Sequence, residues 1–205
     1  MTVMVPVLLA GQSLLAVDTE TTGMSPADGH RLVEVARVGI VDGALGDTWS
    51  SLVQPGRRIP PDAARVHGIT DAMVSDAPSR DSVALALRAA CADQPLVFHN
   101  APFDLPFLIT LLREGGAPPL LNPIIDTLGL ARGLFGAGSN SLGLLAMKLG
   151  LPVEPSHRAL GDATTTARLF LELAGRWERE RGVRSLAELA ALSQDVLRAT
   201  ATARR

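Results

Sequence analysis

The stretch Leu14-Leu15-Ala16-Val17-Asp18-Thr19-Glu20-Thr21-Thr22-Gly23 is apolar for four residues and then places acids at 18 and 20. Successive side chains of a strand point to opposite faces, so a strand here sets Asp18 and Glu20 on one face at the end of a buried run. Two carboxylates brought together where burial is expected suffer desolvation and mutual repulsion. They must hold a proton or recruit a cation. A hard divalent metal suits such a pair. Acids at this spacing also occur at solvated strand ends, so the rest of the chain has to decide.

With 205 residues, 47% of them hydrophobic, the chain can build one substantial core but hardly two. A single α/β domain over residues 1–180, followed by a C-terminal helix and tail over 181–205, is the expected organisation. Cys91 is the single cysteine, which excludes a disulfide framework and any C-x-x-C zinc site. Met1 to Val17 is apolar, yet no basic segment precedes it and Pro6, Gly11, Gln12 and Ser13 interrupt it. It reads neither as a signal peptide nor as a membrane span, and the expected location is the cytoplasm, with no membrane partner. A net charge of −2 argues against coating long nucleic acid, because phosphate neutralisation needs a basic surface. Gripping one chain end stays open. Lys148 is the sole lysine, and the arginines that carry the remaining positive charge suit bidentate phosphate contacts, although compositional bias gives the same pattern.

Along the chain, Arg31 to Val41 reads as a long strand closed by the turn pair Asp42-Gly43, and Trp49 to Val53 as a third strand. Short links make these three an antiparallel meander. A short helix and turn follow within 59–71. Apolar residues at 84, 87 and 91 predict a helix over Ser82 to Cys91, and Leu96 to Phe98 a buried strand. Another helix starts near Pro102 and buries Phe107, Leu108, Leu111 and Leu112, with Asp104 on or beside that stripe. Pro123 to Leu128 reads as a strand, Gly133 to Gly138 as a flexible loop and Ser141 to Leu149 as a short helix. The three-four spacing of 160, 163, 167, 170, 174 and 177 predicts a long helix with Asp162 in its first turn, and Leu186 to Leu197 a modest amphipathic one. The sum is a mixed sheet flanked by helices.

Four acids stand out by placement: Asp18, Glu20, Asp104 and Asp162, with His157 five residues before the last, in a loop bounded by Pro155. Taken singly, Asp104 and Asp162 read as ordinary helix-start acids. Together with their neighbours, the set resembles the DEDD superfamily of 3′-to-5′ exonucleases in its histidine branch (DEDDh, DnaQ-like), which includes proofreading subunits of bacterial replicative DNA polymerases. Asp18-Thr19-Glu20-Thr21-Thr22-Gly23 is similar to the first motif. His99-Asn100-Ala101-Pro102-Phe103-Asp104 is similar to the second, and His157-Arg158-Ala159-Leu160-Gly161-Asp162-Ala163 to the third. Val66 to Thr70 and Ile125 to Leu128 also look like segments of that family. The likeness runs over roughly residues 13–175.

The resemblance implies a ribonuclease H-like fold with a mixed five-stranded sheet, three antiparallel strands then parallel ones. It implies hydrolysis of phosphodiester bonds at single-stranded 3′ ends by two ions, Mg²⁺ or Mn²⁺, held by Asp18, Glu20, Asp104 and Asp162, with His157 as general base. It further implies a nucleic-acid 3′ end as partner, DNA favoured over RNA, and a DNA polymerase subunit as a candidate partner. Candidate substrate contacts are Thr21 and Thr22, Gly23, an apolar wedge at Met24, His67, Asn100 and Phe103; the last three also have structural readings. An RNA 3′-end exonuclease and a non-catalytic binding module of a polymerase assembly are the alternatives. Arg37 departs from the family pattern and is expected to project from the sheet or to pair with Glu34.

Overall fold

The structure, a computed structural model, describes residues 6–138, 140–154 and 157–202. Pro155, and with it one boundary of the His157 loop, lies outside the described residues, as do Met1 to Val5 and the last three residues of the basic tail.

The apolar run becomes β1 (Ser13–Thr21), the middle strand of a five-stranded sheet. β2 (Leu32–Val41) and β3 (Ala44–Leu52) extend the sheet antiparallel on one side, joined through Asp42 and Gly43. Both turn residues take positive φ, 50° and 71°, which such a two-residue hairpin requires. β4 (Leu96–Phe98) and β5 (Ile124–Asp126) run parallel to β1 on the other side, giving the order β3-β2-β1-β4-β5. The third strand starts five residues before the Trp49 expected from its apolar residues. Its first half is an exposed edge, where hydrophobic patterning carries no signal.

Helices α1 (Pro61–His67), α2 (Asp71–Val74), α3 (Arg80–Cys91) and α4 (Ala101–Glu114) come from the first two-thirds of the chain. α5 (Thr127–Phe135), α6 (Leu142–Lys148), α7 (Ala159–Arg181) and α8 (Leu186–Thr202) complete it. Alternation along β1 divides the core in two. Leu14 and Ala16 pack with α7, including Ala163, Ala167 and Phe170. Leu15 and Val17 pack with α3 and α4 around Leu87, Phe107 and Leu108.

α5 corrects the expectation of a strand to Leu128 followed by a loop. The strand stops at Asp126, whose carboxylate accepts the amide of Leu128 at 2.8 Å and starts the helix at once. Gly129 and Gly133 disguised that helix because glycine lowers helix propensity. Here glycine is needed for close packing: a Cβ at 129 would collide with the backbone of Ser193 in α8, and one at 133 with the Trp177 ring of α7. α8 therefore lies directly on α5 and β5, and its Ser193 hydroxyl accepts the buried amide of Asp126 at 3.1 Å. Among the described residues no helix is long and apolar enough to cross a membrane.

Candidate active site

The division of the core fixes where each acid goes. Asp18 and Glu20 share the parity of Leu14 and Ala16, so they face α7, whose first turn carries Asp162. One carboxylate oxygen from each of Asp18, Glu20 and Asp162 lies within 4.8 Å of the others. Thr19, of opposite parity, faces α4 and donates its hydroxyl to Asp104 at 2.7 Å. Asp104 thus approaches the cluster from beneath the strand rather than joining the trio, yet its charge is the strongest that Asp18 feels.

The electrostatics follow from this crowding. Burial, reinforced by the charges of Asp104, Asp162 and Glu20, drives the Asp18 carboxyl well above its usual range. Burial and the same kind of repulsion push Glu20 up to about 8, and burial pushes Asp104 to about 7 although the Thr19 hydroxyl pulls the other way. Asp162 is raised by burial too, while the His157 amide, donating to its Oδ2 at 2.8 Å, offsets part of that. His157 is exposed and takes φ 62°, the left-handed region that few non-glycine residues enter. With Asp18, Asp162, His99, Leu142 and Met147 it lines a cleft of about 460 Å³. A carboxylate set that repels itself and opens on a cleft, with Arg158 offsetting the charge at Glu20 only in part, fits oxygen-preferring divalent ions.

None of the other expected residues is among those that line this cleft. Thr21 donates its hydroxyl to the Gly23 carbonyl at 2.7 Å, and the Thr22 hydroxyl accepts the Arg31 amide at 2.9 Å. The His30 ring packs where a side chain on residue 23 would sit, so glycine is required there for space. Met24 projects from the turn with 78% of its surface exposed. His67 ends α1, is buried, and accepts the Ile69 amide on Nδ1 at 3.0 Å; burial lowers its pKa and keeps the ring neutral. Asn100 is exposed, with φ 76°, at the start of α4. Phe103 is half-buried, its ring 5.6 Å from that of Phe107, so part of it belongs to the core.

Two further acids matter that were not among the expected site residues, although Asp126 lies in the family-like segment Ile125 to Leu128. Asp126 is fully buried, and its carboxylate accepts the amides of Asn100 at 3.1 Å, Ala101 at 2.7 Å and Leu128 at 2.8 Å. It therefore starts α4 and α5 together and fixes the turn that leads to Asp104. Glu34 faces Glu20 across the β1–β2 ladder and is paired with Arg158. Arg37 instead binds Asp47 at 2.7 Å, which overturns its expected pairing with Glu34. The signal for Glu34 was present in the sequence, an acid inside the apolar run Leu32-Val33-Glu34-Val35-Ala36.

A family model described as "Exonuclease" matches residues 15–170, most of the chain. The chain belongs to this exonuclease family. A DNA polymerase III subunit epsilon of Rickettsia felis is 36% identical over 168 residues, 78% of this chain and 73% of that protein. A DNA polymerase III subunit epsilon-like protein of Rhodobacter capsulatus is 42% identical over 166 residues. That match covers 78% of this chain but spans only 23% of the relative's length. Among solved structures, Exonuclease X in complex with 5′ overhanging duplex DNA superposes with a TM-score of 0.71 at 31% identity, covering 88% of this chain and 99% of that one. Exonuclease I, 18% identical, shares the fold with a TM-score of 0.71 over 83% of this chain and 42% of its own. The sheet order and flanking helices are those of the ribonuclease H-like fold of these exonucleases, as expected from the motifs.

Proposed function

We propose that the protein removes nucleotides one at a time from the 3′ end of a single strand, DNA in preference to RNA, releasing 5′-mononucleotides. The observation that carries this is the convergence of Asp18, Glu20 and Asp162 within 4.8 Å beside the cleft that His157 lines. Asp18, Glu20 and Asp162, with Asp104 behind them, would hold two divalent cations, Mg²⁺ or Mn²⁺, which when bound would supply positive charge to offset the phosphate and to acidify water. His157 takes the proton of the attacking water on a ring nitrogen, which suits an imidazole near neutral pH. The water oxygen bonds to phosphorus, the bond from phosphorus to the preceding 3′ oxygen breaks, and that oxygen takes a proton from solvent. The products are a 5′-mononucleotide and a strand one residue shorter with a free 3′-hydroxyl.

The remaining contacts are assigned by resemblance and local chemistry. The Thr21–Thr22 backbone faces the terminal 3′-hydroxyl, and Met24 wedges against the last base. His67, Asn100 and Phe103 line the path of the strand. The family of polymerase III epsilon relatives favours a cytoplasmic role in proofreading or repair, with a polymerase subunit as candidate partner.

The test is product analysis on matched 3′-labelled DNA and RNA strands with Mg²⁺ or Mn²⁺, and with a chelator as control. Expected are 5′-mononucleotides, faster from DNA, and none with the chelator. His157→Ala should slow turnover about 10²- to 10⁴-fold. No metal-dependent release from either strand would overturn the proposal, and faster release from RNA would reassign the substrate by way of its 2′-hydroxyl.

A further inference from the structure

Helix α7 delivers both Asp162 and, just before its first residue, His157, yet its own N-terminus lacks the usual device. The N-cap residue is Arg158, which makes no side-chain cap bond. The missing acceptor comes from another strand. Glu34 Oε2 accepts the amide of Ala159, the first residue of the helix, at 2.9 Å. The same carboxylate accepts Arg158 Nε at 3.0 Å on Oε2 and Arg158 Nη2 at 2.7 Å on Oε1. Three charge-assisted bonds therefore tie the residue after His157, and the one after that, to β2, the strand beside β1. The carboxylate also meets the positive end of a 23-residue helix.

We infer that Glu34 and Arg158 form a positioning clamp that sets His157 against the acid cluster, through the chain segment that joins His157 to α7. The clamp rests on the function proposed above for its effect on rate, but not for its existence. Its two partners differ in setting. The Arg158 side chain is 48% exposed whereas that of Glu34 is 6% exposed, opposite Glu20 on the neighbouring strand. Removing Arg158 opens no hole in the core but leaves a bare buried carboxylate beside the repelling acids. Removing the charge of Glu34 leaves a guanidinium that water can solvate.

The experiment uses the full chain and two readouts: amide hydrogen exchange at His157, Ala159 and Asp162 in the metal-free protein, and steady-state kinetics on a DNA strand. Arg158→Ala should speed exchange at His157 and Ala159 by about tenfold or more, with β1 amides unchanged. In the same variant, kcat should fall on the order of 10- to 100-fold with KM within about threefold, the signature of a displaced catalytic group. The variant Glu34→Gln/Arg158→Ala removes the bare charge and so keeps the fold if the single variant does not. It should still show fast exchange and low kcat, because the fork is gone. A double variant that returns both to parental values would overturn the clamp and reduce Arg158 to neutralising Glu34. Parental exchange in both variants would overturn it as well. If the parent hydrolyses no strand, the proposed function fails while the exchange data still decide the clamp.

Discussion

Buried acids in this molecule come in two kinds. Asp126 is 0% exposed and Glu34 5%, no more accessible than Glu20 at 9%. Yet Asp126 is met by three backbone amides and Glu34 by an arginine fork and an amide. Asp18, Glu20 and Asp162 instead meet one another, Asp18 and Asp162 half-buried and Asp162 also accepting the His157 amide. The charge of Arg158 offsets the repulsion at Glu20 only in part. At Glu20, Asp126 and Glu34, depth of burial therefore does not distinguish an acid of the proposed metal site from a structural one; the partner does. An acid facing N–H groups has its charge matched by the fold, whereas acids facing acids must hold protons or recruit a cation.

The sharpest way to break this distinction is to neutralise one acid of each kind without changing its shape. Asp18→Asn should abolish turnover, by on the order of 10³-fold or more. The same change relieves repulsion, so it should raise the melting temperature of the metal-free protein at pH 8. Asp126→Asn should do the reverse to stability. Its amide offers one acceptor where three N–H groups need partners, costing about 2–4 kcal/mol, or roughly 5–15 °C in a chain of this size. Thermal melts of the two variants decide the matter. If both move the same way, the acids are not of two kinds.

The crowded acids also have a sign in pH, although burial raises Asp126 too, against the pull of its amide bonds. Glu20, raised from 4.5 to about 8, and Asp104, raised to about 7, hold protons in the fold that the unfolded chain has already released. Their contribution to stability is complete below the unfolded values and is lost as pH rises through the folded ones. His99, lowered from 6.5 to about 4 by burial, acts oppositely but only below about 6.5. Metal-free protein should therefore lose stability between about pH 6.5 and 8.5. Mn²⁺ should remove most of that slope by replacing the protons. A metal-free melting curve that is flat over this window would mean that the trio carries no strain.

How much of this was legible in the sequence follows from the same physics. Parity in β1 and the first-turn position of Asp162 were readable, because strand and helix periods fix which side a residue faces. The approach of Asp104 from the opposite side of β1 through Thr19 was not. It depends on which face α4 packs against, and that is tertiary information. α5 was hidden because Gly129 and Gly133 are chosen for close contact with α8 and α7 rather than for propensity. Glu34 looked like a partner for Arg37 by proximity in sequence. The sheet register turns Arg37 toward Asp47 and leaves Glu34 for a residue 124 positions away.

Thr19→Val tests the smallest link, the side of the cluster that the trio does not include. Valine keeps the shape of the side chain but removes the hydroxyl that donates to Asp104 Oδ1 at 2.7 Å. That bond holds the Asp104 carboxyl down against burial, so without it the pKa should climb further above its value of about 7. A proton then competes better for the site at neutral pH. The bond is worth about 1 kcal/mol, or roughly a fivefold change in an equilibrium. The Mg²⁺ concentration giving half-maximal activity should accordingly rise about two- to fivefold at pH 7, and by less at pH 9, where the proton is gone in both proteins. Equal metal requirements in the variant and the parent at pH 7 would place Asp104 among the structural acids, beside Asp126 and Glu34, rather than with the trio.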